Sequence, residues 1–227
     1  MSASLARVQL VWAEKLSVPI EALTSAGTQS FVRPSATAVV VVALAEACVV
    51  LGPPHATRRL QGLEVPALLD AGLLLSRLEA FAPTPIGTAS LSYLEANPVT
   101  RPVIRAVPAD PSMMATLQGR VSTDEWDESG LAGMTHRWAV LAQDGEPAAL
   151  AGYERWGADL AQMGVVADPS ERGRGHASAA VLAALTAATD EGLVAQWRCR
   201  VGNTASERLA TRLGFTRVGF QVAVTLS

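Results

Sequence analysis

Met163-Gly164-Val165-Val166-Ala167-Asp168-Pro169-Ser170-Glu171-Arg172-Gly173-Arg174-Gly175-His176-Ala177 is the stretch on which the reading of this chain turns. A strand-like run, Leu160 to Val166, gives way to a short polar turn, and two glycines then open an amphipathic helix. That helix, Gly175 to Glu191, carries Ala177, Val181, Ala184, Leu185 and Ala188 on one side and stops at Gly192. Such a turn aims several main-chain N–H groups in one direction, and the start of the helix adds roughly half a positive charge. Gly173 and Gly175 let a bulky anion approach without meeting a Cβ, while Arg172 and Arg174 add charge-assisted contacts. The physical expectation is a cradle for a pyrophosphate.

Working outward, the C-terminal half reads as alternating strands and helices. Pro111 to Gly119 and Thr123 to Gly130 suggest two short helices. Strands are expected at Arg137 to Ala142 and Ala148 to Trp156, joined by a turn with Asp144-Gly145, a hairpin signal. After the quoted stretch come a strand at Val194 to Val201, a helix at Thr204 to Leu213 and a last strand at Arg217 to Leu226. The order β-β-β-α-β-α-β implies an α/β (α+β) fold with a mixed, mainly antiparallel sheet flanked by helices. Asn97-Pro98 and Arg101-Pro102 read as a linker, which sets a boundary near residue 98 between segments 1–98 and 99–227. The first segment is α/β in character. Ser4 to Leu16 is helical in pattern, and Ala38 to Leu44 with Ala47 to Leu51 forms a valine-rich hairpin turning near Ala45-Glu46. Thr57 to Gln61 and Val65 to Phe81 look helical, and Ile86 to Tyr93 returns as a strand.

A P-loop needs four residues between its glycines and then Gly-Lys-Ser/Thr, and neither is present. Gly173-x-Gly175-x-x-Ser178 is only loosely like a dinucleotide fingerprint, and the repeated βαβ pattern which that fingerprint requires is missing. Arg172-x-x-Gly175-x-Ala177 instead resembles the pyrophosphate loop of the GNAT superfamily of acyl-coenzyme A-dependent N-acetyltransferases, Arg/Gln-x-x-Gly-x-Gly/Ala. Asn203-Thr204-Ala205-Ser206-Glu207-Arg208-Leu209-Ala210-Thr211-Arg212-Leu213-Gly214-Phe215 resembles that family's next signature, an asparagine leading a helix that ends Leu-Gly-Phe. The resemblance spans roughly residues 103 to 227.

The resemblance implies acetyl-CoA as cosubstrate and direct transfer to an amine, in a small molecule or a protein, within a ternary complex. The strand before the loop would splay from its neighbour, with Met163, Gly164, Val165 and Val166 supplying backbone to the pantetheine arm. Arg172, Gly173, Arg174, Gly175, His176 and Ala177 would hold the pyrophosphate, and Asn203 and Ser206 would face the pantetheine and adenosine side. The N–H near Val165 would stabilise the tetrahedral oxyanion. The sequence departs from the family at two positions: Ala210 stands where a proton-donating tyrosine is common, and Gln162 where some members carry a basic glutamate. Glu154 is the substitute base, with Tyr153 or Tyr93 as candidate proton donors. Two other readings stay open at this level: a non-catalytic acyl-CoA sensor, and a partner-binding module in which the loop is only a turn.

Composition narrows the classes further. With 227 residues, 49% hydrophobic content and a formal net charge of −3, the chain has ample material for a core. Nothing in that charge draws it to nucleic acid or an anionic membrane. No Cys/His spacing suggests a metal, Cys48 and Cys199 read as buried thiols, and no signal or spanning segment is apparent, so the expected setting is cytoplasmic. Shaping the acceptor groove or making a homodimer contact are the roles open to the N-terminal segment.

Overall fold

In the computed structural model, residues 3–94 and 104–227 are described, and the expected linker and its boundary near residue 98 lie outside them. The chain divides into two units. The first comprises residues through Ser92 with Arg198–Thr204 and Arg217–Ser227; the second comprises Tyr93–Trp197 and Ala205–Thr216.

The first unit opens with α1 (Ala3–Leu16), α2 (Glu21–Thr24), β1 (Gly27–Val32), β2 (Ala38–Leu44) and β3 (Ala47–Gly52). β2 and β3 form the antiparallel hairpin their valines predict, from Val40↔Leu51 to Leu44↔Ala47, and Ala45 turns it with φ 52°. β1 pairs parallel with β3; its sequence, Gly-Thr-Gln-Ser-Phe-Val, is half polar and largely exposed, so apolar periodicity does not announce it.

The leucine-rich run expected as one helix is broken into α4 (Val65–Leu68), α5 (Ala71–Arg77) and a 3-10 turn at Glu79–Phe81, after α3 (Pro54–Leu60). Asp70 causes the break. Its backbone is extended and its carboxylate accepts from the Leu73 N–H at 3.1 Å, which caps a new helix rather than continuing the old one. β4 (Thr84–Tyr93) follows. Val39, Val41, Cys48 and Val50 of the hairpin meet Leu60, Leu68, Leu74 and Leu78 of these helices in one core.

The second unit runs β5 (Ala106–Pro108), α6 (Pro111–Gln118), α7 (Thr123–Ser129), β6 (His136–Leu141), β7 (Pro147–Trp156), β8 (Leu160–Ala167), α8 (His176–Asp190), β9 (Val194–Arg200) as far as Trp197, and α9 (Thr204–Arg212) from Ala205 on. Its sheet order is β5-β6-β7-β8-β9, antiparallel except for the β8–β9 pair. Leu150 and Val166, a cross-strand pair, join Met114, Leu117, Trp126 and Leu131 in a core under α6 and α7. Tyr153 points the opposite way and reaches Glu191 at the end of α8, so α8 covers the other face. This is the mixed, mainly antiparallel sheet flanked by helices that the element order implies.

The last strand, β10 (Thr216–Thr225), pairs antiparallel with β2 from Gly219↔Leu44 to Thr225↔Ala38. Val222 and Val224 thereby enter the first unit's core. Among the described residues, no helix is long and apolar enough to cross a membrane.

Candidate active site

Between β8 and α8 the chain makes a turn whose start is tied down by Asp168. Its carboxylate accepts from the Ser170 hydroxyl at 2.6 Å, the Ser170 N–H at 2.8 Å and the Arg120 guanidinium at 3.2 Å. The Ser170 hydroxyl bond holds this carboxyl below the usual aspartate range; burial opposes it, and the remaining Ser170 and Arg120 contacts help overcome burial. Glu171, at the end of a 3-10 turn, accepts from Arg174 at 2.8 and 3.0 Å and lies 3.4 Å from His176 Nδ1. Arg172 reaches across to Glu125 on α7, Nη2 to Oε1 at 2.7 Å. Burial would raise the Glu125 carboxyl, but Arg172 and the Ser122 hydrogen bonds outweigh it and leave it lowered. Both arginines expected to neutralise an anion are therefore already ion-paired.

What remains for an anion is the main chain. Gly173 and Gly175 stand at φ 79° and 86°, in the left-handed region that glycine alone enters freely. A Cβ at Gly173 would meet nothing within 4 Å, and one at Gly175 would meet only Ile104 Cδ1 at 3.8 Å. Gly175 is the N-cap of the 15-residue α8 and offers no side chain to its first amides. Among the described residues, no carbonyl accepts from the N–H groups of Gly173, Gly175, His176 or Ala177, while Arg174 closes a hydrogen-bonded turn. Unpartnered amides at a helix start suit a group carrying several anionic oxygens. His176 Nδ1, buried at the same turn, makes no hydrogen bond and has the Glu171 carboxylate as its polar neighbour at 3.4 Å.

The strand beside the turn is open. β8 and β9 pair at Leu160↔Val194, Ala161↔Ala195 and Gln162↔Gln196, and the ladder goes no further. Beyond Met163, no strand among the described residues pairs with that edge of β8, while its other edge stays paired with β7 as far as Ala167. Met163, Gly164, Val165 and Val166 thus lie on the divergent part of the strand. Gly164 is also a packing requirement: a Cβ there would collide with the Ser129 carbonyl and the Met134 side chain, where the α7 end lies directly on β8.

Glu154 is exposed and pairs across the ladder with Gln162, so both side chains are on one face of the sheet at the point of divergence. Glu154 Oε2 accepts from Trp156 Nε1 at 3.0 Å. Tyr153 is on the other face. Its hydroxyl donates to Glu191 at 2.8 Å, His136 stacks on its ring at 4.6 Å, and burial, then Glu191, push its pKa well up. Tyr93 donates to Gln196 Oε1 at 2.7 Å.

In α9 the Leu213-Gly214-Phe215 sequence is a helix stop: Gly214 takes φ 90°, its N–H donates to Thr211 O, and the Phe215 N–H donates to Ala210 O at 3.0 Å. Ala210 is buried. Ser206 accepts from Trp197 Nε1 at 3.0 Å. Asn203 belongs to the first unit, where its N–H donates to Arg200 O at 3.0 Å.

Sequence reasoning passed over Asp168, Glu171 and Gln196. The Asp168-Pro169 pair is a legible turn-starting signal; Gln196, in an apolar strand, has no local signal at all. Among the described residues no group of His, Cys, Asp and Glu is placed to hold a metal.

The open edge of β8 leads into the start of α8, a geometry that suits an elongated ligand with an anionic end. Residues 109–215 match the acetyltransferase (GNAT) family. Among solved structures, an acetyltransferase from the GNAT family of Colwellia psychrerythraea has a TM-score of 0.51 at 14% identity, covering 63% of this chain and 57% of that one. A GCN5-related N-acetyltransferase from Kribbella flavida reaches 0.49 at 21% identity, over 70% of this chain and 65% of its own. At such identities the likeness concerns the fold. No curated protein matches the chain in sequence.

Proposed function

We propose that this protein transfers the acetyl group of acetyl-CoA directly to an amine in a ternary complex, with the chemistry carried by residues 99–227. The observation that carries the reading is the set of main-chain N–H groups of Gly173, Gly175, His176 and Ala177, from which no carbonyl accepts among the described residues. The pyrophosphate lies on those amides, and the pantetheine arm runs along Met163–Val166, where β8 has lost its neighbour. Arg172 and Arg174 turn toward the phosphates only by leaving Glu125 and Glu171.

In the reaction, the neutral amine attacks the thioester carbonyl and an N–C bond forms. The oxyanion is held by the main-chain N–H at Val165; as it collapses the C–S bond breaks, the nitrogen gives up a proton to solvent, and coenzyme A leaves as a thiolate that is then protonated. An ordinary amine is mostly protonated at neutral pH, so a proton must first be removed. Glu154, exposed and facing the point of divergence, is the proposed base, acting directly or through water. Both tyrosine hydroxyls near the site donate to other side chains, so the proton for the leaving thiolate comes from solvent. Two free buried cysteines suit a reducing compartment, the cytoplasm.

Thiol release from acetyl-CoA over a panel of amines tests the reading. Glu154→Gln should lower kcat/KM by about 100-fold, the usual weight of general-base catalysis, with acetyl-CoA affinity unchanged. Unchanged turnover in that variant removes Glu154 from the mechanism. A second reading, an acyl-CoA sensor without turnover, is favoured by the neutral amide of Gln162 and the buried methyl of Ala210 at the two positions where acid–base groups are common. Tight binding with no thiol release for any amine would select it.

A further inference from the structure

At the last register position of the β8–β9 ladder, two opposed side chains bond to each other: Gln196 Nε2 donates to Gln162 Oε1 at 2.6 Å. The pair is the middle of a longer chain of bonds. Tyr93 Oη donates to Gln196 Oε1 at 2.7 Å, and Gln162 Nε2 donates to the Met163 carbonyl at 3.0 Å. Gln196 is fully buried and Tyr93 nearly so.

The direction of every bond in the chain is forced from one end. The Met163 carbonyl can only accept, so the Gln162 amide nitrogen must face it and the Gln162 oxygen must face Gln196. Gln196 must then donate with its nitrogen and accept with its oxygen, which leaves Tyr93 as the donor. All the dipoles align, an arrangement in which each bond strengthens the next. No member is ionisable near neutral pH.

The location gives the relay its consequence. It ties β8 to β9 at the final paired residues, and it occupies the first carbonyl of β8 beyond them, so the split begins at Met163 and nowhere else. We propose that Tyr93, Gln196 and Gln162 are positioning residues that fix where the ladder opens and thereby set the register in which a pantetheine arm pairs with Met163–Val166. This inference rests on the acetyl-CoA reading given above. A relay that acts in this way touches only the pantetheine and leaves the nucleotide end of the cofactor alone.

The experiment is a pair of calorimetric titrations on the full-length protein and on Tyr93→Phe, Gln162→Leu and the double variant. One titrant is acetyl-CoA; the other is 3′-phosphoadenosine 5′-diphosphate, which keeps the phosphates and lacks the pantetheine. The expected result is a loss of acetyl-CoA affinity of about fivefold or more in each single variant, within the range shown by coupled neighbours. Affinity for the nucleotide fragment should stay at the wild-type value, and the double variant should bind acetyl-CoA no worse than the weaker single variant. In turnover, KM for acetyl-CoA rises while KM for the amine does not. Tyr93→Phe removes one oxygen and keeps the ring, so it reports even if Gln162→Leu fails to fold. Wild-type affinity for acetyl-CoA in the folded variants overturns the relay alone, as does an equal loss for both titrants. A wild-type protein that binds neither titrant overturns the acyl-CoA reading and the relay with it.

Discussion

Gly175 sits at φ 86°, and a Cβ there would make only an ordinary contact, with Ile104 Cδ1 at 3.8 Å. Valine there has two separable effects: backbone strain of about 1–2 kcal/mol, and a branched side chain in the space proposed for phosphate oxygens. Gly175→Val should therefore remain folded, with a modestly lowered melting temperature, and lose at least tenfold in acetyl-CoA affinity by calorimetry. Normal affinity in a folded variant would contradict the cradle.

Asp168 makes a different demand. Its carboxyl is held low in the folded protein, first by the Ser170 hydroxyl. A lowered folded pKa means the stabilisation is complete above the unfolded value, near 4, and disappears as pH falls through the lower folded value. Asp168→Ala should cost about 1–3 kcal/mol at pH 7, and the gap to wild type should narrow when both are acidified to below the folded value of this carboxyl. Urea midpoints at the two pH values measure this directly.

At the scale of elements, β8 is shaped by what covers it. Gly164 exists because the Ser129 carbonyl and Met134 lie against the strand on the α7 side. Gly164→Ala should destabilise the protein by about 1–3 kcal/mol in chemical denaturation, the ordinary cost of overpacking. Elements set by local pattern were legible: the β2–β3 hairpin from its valines, the Asp144-Gly145 turn, and α8 with its stop at Gly192, whose N–H donates to Thr189 O at 2.8 Å. β1 was not, because a half-polar edge strand has no apolar alternation to read. The division of the Val65–Phe81 run was missed because leucines at helical spacing mask the one residue, Asp70, that prefers to start a helix.

At the scale of the molecule, strands from either end of the chain meet. A boundary near residue 98 separates β2 from β10, yet these strands pair over seven positions and share a core. A fragment of residues 104–227 should therefore expose Val222 and Val224 on an unpaired strand and aggregate in size-exclusion chromatography, whereas the full chain does not. By itself the sequence determined the strand–turn–helix with its two glycines and the element order around it, because hydrophobic period and turn chemistry are written in adjacent residues. Only the tertiary structure decided that Arg172 and Arg174 are already paired, that Gln162 meets Gln196 where the ladder ends, and that β10 closes on β2. Apart from the local Arg174–Glu171 pair, such meetings join residues tens of positions apart or more, and their partners are chosen by packing, which leaves no mark in the local pattern.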